Sequence, residues 1–190
     1  MEKLKTQFPH KAASIEIKNE EANRYLEGWC RATDWSRVRA VVFLDPFGMQ
    51  VSWSLLTQIA QTKAIDLWLL FPLGIGVARL LTRKAPPPPA WADRLTDILG
   101  TGDWKDVFYQ KKTVSTLFGN QELEEKEADY DLVGTFFLNR LATIFEGVAK
   151  KPLVLRNSRN TPLYLFCFAA GNKRGASTAV RIAEDIIGAN

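Results

Sequence analysis

Histidine is all but missing from these 190 residues, the only one being His10, close to the N-terminus. Triad-type serine or cysteine nucleophiles need an imidazole base and multi-histidine metal centres need several ligands, so neither chemistry fits this composition. Cysteine is nearly as scarce. Cys30 follows a polar helical pattern and Cys167 lies in an apolar strand pattern, which is neither a disulfide framework nor a zinc-ligand spacing and points to a reducing cytoplasm. Long apolar runs are lacking too: the longest uncharged one, residues 67–78, is broken by Pro72, Gly74 and Gly76 and falls short of the ~20 residues a bilayer requires. The opening Met1-Glu2-Lys3-Leu4-Lys5 has no apolar segment of a secretory signal. There is no phosphate-loop lysine pattern and no repeat of solenoid period. The expectation is a cytoplasmic protein without a membrane span.

What is present is enough apolar material for a core: 46% hydrophobic and 11% aromatic residues, six of them Trp. That fits one large domain over residues 1–190 better than two full ones. The net charge of +4 favours acidic partners such as nucleic acid without requiring them.

The pattern along the chain alternates strand and helix. Ala13 to Ile17 reads as a short strand and Glu20 to Ala32 as a helix. Ala40 to Leu44 is a continuous run of β-branched and aromatic residues, the pattern of a strand covered on both faces. A helix capped by Ser52 or Ser54 and carrying Leu55, Leu56 and Ile59 follows, and then a second strand, Ile65 to Phe71. A strand, helix, strand order with short joints calls for parallel pairing. The fold class expected is therefore α/β, with a Rossmann-like core.

Beyond it, Gly76 to Arg83 reads as a short helix, and Pro86 to Pro89 as an extended spacer of about 12 Å at ~3.1 Å per residue. Residues 86–128 form a helical or irregular insertion, with a helix from Trp91 to Leu99, an aromatic segment Trp104 to Tyr109 and an acidic run Glu122 to Glu127 read as a solvated helix or loop face. Asp129 to Lys150 carries a long apolar stripe at helical spacing. Leu153 to Leu155 and Leu163 to Phe168 predict an antiparallel hairpin, and Ser177 to Ile187 a closing helix.

Ligands of an open parallel sheet bind outside the carboxyl ends of its strands, which singles out Asp45-Pro46-Phe47-Gly48 after the first buried strand. An acceptor carboxylate, a proline-fixed turn and a flat ring together suit one planar amine or base. The alternative is purely local: Asp45 caps the turn, Pro46 sets its φ and Phe47 plugs the core. Arg79 is placed to act as a phosphate or carboxylate clamp, or else is simply solvated. Gly74-Ile75-Gly76 lacks the third glycine of a dinucleotide-binding turn and reads as a turn leading into a helix. Asp66 opens its strand at the opposite end of the sheet and reads as structural, while Asn172, Lys173 and Arg174 form a small basic tip able to touch a nucleic-acid backbone.

The block VVFLDPFGMQVSWSLLTQIAQTKAIDLWLLFPLGIGVARLL, residues 41–81, resembles the three-Cys-motif partner protein family. TPLYLFCFAAGNKRG, residues 161–175, is similar to that family's final strand and turn, and IEIKNEEAN, residues 15–23, to a strand and polar turn ahead of its main block. The family is similar to S-adenosylmethionine-dependent methyltransferases. The resemblance implies a methyltransferase-like sheet in which Asp45, Pro46, Phe47 and Gly48 form the catalytic turn that holds a target amine. It places Glu21 and Asn23 near the adenosine of the cofactor, and it implies a three-Cys-motif protein as partner. Members carry, ahead of this block, a further strand and a glycine-rich turn for the methionine end of the cofactor. The twelve residues before Ala13 are too few to hold them. The expectation is thus a sheet incomplete on its N-terminal side, weak cofactor binding by this chain alone, and either an amino-methyltransferase component or a noncatalytic binding partner.

Overall fold

The computed structural model describes residues 2–116 and 119–189. In chain order it has helix α1 (Glu2–Gln7), a 3-10 turn (Pro9–Ser14), α2 (Ala22–Ala32), strand β1 (Ala40–Leu44), α3 (Trp53–Gln61) and β2 (Ile65–Phe71). A π turn (Leu73–Val77) leads into α4 (Ala78–Leu80), α5 (Pro89–Leu99) and α6 (Trp104–Phe108). Then come β3 (Tyr109–Thr116), β4 (Gly119–Lys126), α7 (Tyr130–Leu141), β5 (Gly147–Val148), β6 (Leu153–Arg156), β7 (Pro162–Ala170) and α8 (Ala176–Gly188).

The fold is mixed α/β around a mixed five-stranded sheet. β1 and β2 pair in parallel, Ala40 opposite Ile65, with α3 between them in sequence, as the strand, helix, strand pattern requires. β7 pairs antiparallel with β2 on one side and with β5 and β6 on the other. The hairpin expected between residues 153 and 168 is present; its turn is held by Asn157 Oδ1, which accepts from the Arg159 and Thr161 amides, both at 2.9 Å. Ser52, rather than Ser54, caps α3, its hydroxyl accepting from the Leu55 amide at 3.2 Å.

One face of the sheet carries Val42, Leu44, Ile65, Leu67, Leu69 and Phe71 into a core shared with Leu55, Leu56 and Ile59 of α3, Leu95 and Leu99 of α5, and Phe137 of α7. Trp104 and Phe108 of α6 join it, so the stretch expected as an insertion packs into the same core. On the opposite face, Trp68, Phe168 and Ala170 pack against Ala176, Ala179 and Val180. Arg140 closes α5 from outside, donating to the Leu99 and Gly100 carbonyls at 3.2 and 3.0 Å while its guanidinium lies 4.9 Å from the Trp53 ring.

Four expectations need correction. Ala13 to Ile17 is not a strand: its start ends the 3-10 turn, and residues 15–19 pair with no strand. β1 is covered on one face only, because Val41 and Phe43 are 68% and 56% exposed; α8 packs over the β2 and β7 part of that face. The apolar run therefore reported strand, and tertiary packing decided its burial. The acidic run is a strand, since β4 pairs with β3 and sets Glu124 opposite Lys111, so the opposing polar strand decides its conformation. Finally, α7 stops at Leu141 instead of reaching Lys150. The chain turns back there so that Gly147 and Val148 can pair with Ala170 and Ala169, and the Ala149 amide donates to the Phe168 carbonyl at 3.0 Å. One apolar stripe thus serves a helix and a strand.

Candidate functional site

The turn after β1 is shaped by its own residues. Pro46 is buried and fixes its own φ, and Gly48 stands at φ 71°, a left-handed conformation that suits glycine. Between them Phe47 is 89% exposed, so it plugs nothing, and that part of the local alternative fails. Asp45 is also exposed.

Beside the turn lies an open cleft of about 710 Å³, lined chiefly by two stretches distant in sequence, residues 20–23 and Phe43 to Phe47 with Gln50, together with Val51, Leu55 and Arg94. At the cleft one bond joins them, the Asn23 Nδ2 donating to the Gln50 carbonyl at 2.8 Å. Glu21 sets up that bond. It caps α2, its Oε1 accepting from the Asn23 amide at 3.0 Å and from Asn23 Nδ2 at 2.9 Å, and its Oε2 accepting from the Arg24 amide at 2.8 Å. The Arg24 and Asn23 amides hold its carboxyl below the usual carboxylate range. Asn23 Nδ2 is thus fully engaged, whereas Asn23 Oδ1 is shielded from water and has no partner.

Glu21, Asn23, Asp45, Pro46 and Phe47 accordingly share one cleft. Arg79 does not border it. On α4, Arg79 lines a neighbouring cleft of about 470 Å³ together with Gly48 and Trp91. Arg94 borders both clefts, and its helical context, an exposed residue beside buried Leu95, carries no signal of that position. No family model matches the chain, and neither the curated proteins nor the solved structures contain a match.

The remaining candidates lie elsewhere. Asp66 Oδ1 accepts from the Gly171 amide at 3.2 Å, tying the start of β2 to the end of β7. The tip formed by Asn172, Lys173 and Arg174 follows β7, which runs antiparallel to β2, so it stands at the end of the sheet opposite the Asp45 turn. Gly74 and Gly76 belong to the π turn, and a Cβ at Gly74 would lie 1.9 Å from the Pro162 carbonyl oxygen, so glycine there serves close packing. Both cysteines are free and buried, and burial raises both thiols above their usual range, which makes them poor nucleophiles. Among the described residues no group of three or more His, Cys, Asp or Glu could hold a metal ion, and no helix is long and apolar enough to cross a membrane.

Proposed function

We propose that this chain is a Rossmann-like methyltransferase component, akin to the three-Cys-motif partner proteins, that holds an amino group of a nucleobase or similar planar substrate at the Asp45 turn. The observation that carries this reading is Phe47: an 89% exposed ring on the turn between Pro46 and Gly48, beside a cleft. Lone apolar side chains on a surface are ordinary. One that stands beside a cleft, two residues from an exposed carboxylate, can serve as a stacking platform with an acceptor beside it.

Asp45 would accept an N–H of the substrate amine, which turns the nitrogen lone pair toward the cleft, while Phe47 stacks on the ring and fixes its plane. S-adenosylmethionine, when bound, supplies a methyl group on a positively charged sulfur, a leaving group that departs with its bonding pair and needs no acid catalyst. As the N–C bond forms, the nitrogen becomes cationic, and its proton passes to Asp45 or to water. Histidine is unnecessary for any of this. One atom supports a cofactor here, Asn23 Oδ1, an unpartnered acceptor that would take a donor such as one on the adenosine once the side chain turns it out to the cleft. Glu21 serves by holding Asn23, its own oxygens being taken up by the helix cap.

The test is calorimetry on the 190-residue chain. Adenosine and cytidine, which bear exocyclic amines, should bind better than inosine and uridine, and Asp45→Ala should erase that difference. Equal binding of all four, unaffected by Asp45→Ala, would refute the reading. S-adenosylmethionine alone should bind more weakly than the micromolar level of about −8 kcal/mol, because the Glu21 oxygens are taken up by the helix cap and Asn23 offers only one acceptor.

A second reading is favoured by the outer edge of β1, which pairs with no strand among the described residues and stands beside exposed Val41 and Phe43. Such an edge suits strand addition by a partner. In that case the chain is a noncatalytic companion of a three-Cys-motif protein, and Phe43→Lys would abolish the complex while Asp45→Ala would not.

A further inference from the structure

The cleft at Asp45 and the cleft at Arg79 are neighbours. Phe47 borders the first, its chain neighbour Gly48 borders the second, and Arg94 borders both. Bordering them, two aromatic rings are exposed, Phe47 at 89% and Trp91 at 44%. Arg79 and Arg94 are exposed as well, and no acidic partner within ion-pair distance is found for either among the described residues. Two exposed rings and two exposed arginines therefore border the two clefts.

We propose that this groove takes a single-stranded nucleic acid, with the target base at the Asp45 turn. The inference rests on the reading of that turn given above and names its substrate class. One nucleotide would use one ring and one cation; two rings and two cations on one path fit a strand. The target base stacks on Phe47 with its amine toward Asp45, the adjoining phosphate meets Arg94, the neighbouring base covers Trp91, and a further phosphate meets Arg79. A paired duplex hides the base faces that the rings require, so the substrate is single-stranded or has the base extruded. Charge also orients the strand. Glu20 and Glu21 also line the Asp45 cleft and repel phosphate, whereas Arg94 attracts it, so the backbone leaves the turn on the Arg94 side.

The experiment is fluorescence anisotropy with a labelled oligodeoxyadenylate of about twelve nucleotides, within the range of known single-strand sites. The wild-type chain is compared with Arg79→Gln/Arg94→Gln and Trp91→Ala, all changes at exposed side chains. Trp91→Ala should weaken binding roughly tenfold, as loss of one stacking platform does. The double arginine variant should lower the slope of log affinity against log salt by about 1.4, two phosphate contacts at ~0.7 each. Unlabelled duplex of the same length should compete poorly. No binding by the wild type at low salt, an unchanged salt slope in the arginine variant, or equal competition by duplex would each overturn the proposal. If the oligomer fails while adenosine still binds in an Asp45-dependent way, the groove is wrong and the turn reading stands. If the oligomer binds with the expected Trp91 and arginine dependence but is indifferent to Asp45→Ala and Phe47→Ala, the turn reading fails, and the placement of the base fails with it.

Discussion

Replacing Phe47 by alanine separates a functional ring from a structural one. A phenylalanine side chain has 150–250 Å² to bury, and at 89% exposure Phe47 buries about a tenth of that, ~20 Å². At ~25 cal/mol per Å² its removal costs about 0.5 kcal/mol, or ~1–2 °C in Tm for a chain of this size. Phe71 is the control: it is fully buried and stacks on Phe137 with centroids 3.8 Å apart. Phe71→Ala should cost ~3–5 kcal/mol. Thermal unfolding followed by circular dichroism should therefore show Phe47→Ala melting almost with the wild type and Phe71→Ala far below it. In the same preparations, Phe47→Ala should lose nucleoside binding. A loss above ~2 kcal/mol for Phe47→Ala would mean that the ring supports the fold, and the case for a stacking platform would collapse.

Two other outcomes test the frame around the site. Gly74→Ala puts a Cβ 1.9 Å from a backbone oxygen that belongs to β7, so the π turn or the strand must move. The cost should be ~1–3 kcal/mol, seen as a fall of several degrees in Tm, and an unchanged Tm would show that the approach is looser than described. Glu21 gives a pH signature. Its folded carboxyl lies below its ordinary value of 4.5, so the cap is fully present above 4.5 and is lost as pH falls through the lowered value. Amide exchange at Asn23 and Arg24 should quicken, relative to intrinsic rates, as pH drops below 4.5, and Glu21→Gln should flatten that dependence; the same acid response in the variant would remove Glu21 as its cause.

Local chemistry was enough to read the elements whose conformation depends on their own residues. The run Ala40–Leu44, a cap at Ser52 or Ser54 and the return at Ile65–Phe71 specify strand, helix and strand, and the short joints then require parallel pairing. The Asp45 turn could likewise be picked out, since aspartate, proline and glycine at a strand end carry their geometry with them. Other features depend on partners far along the chain. Whether Phe47 points into the core or out to water, where α7 yields to β5, and whether residues 119–126 form helix or strand were all settled by long-range packing and backbone pairing. The cleft itself is of this kind: Asn23 reaches it through a bond to Gln50, and Arg94 through the placement of α5. Sequence by itself thus determined the strand, the turn and the chemical types present at its tip. Only the tertiary structure decided which of those groups meet, because burial and contact are properties of surfaces that do not exist until the chain has packed.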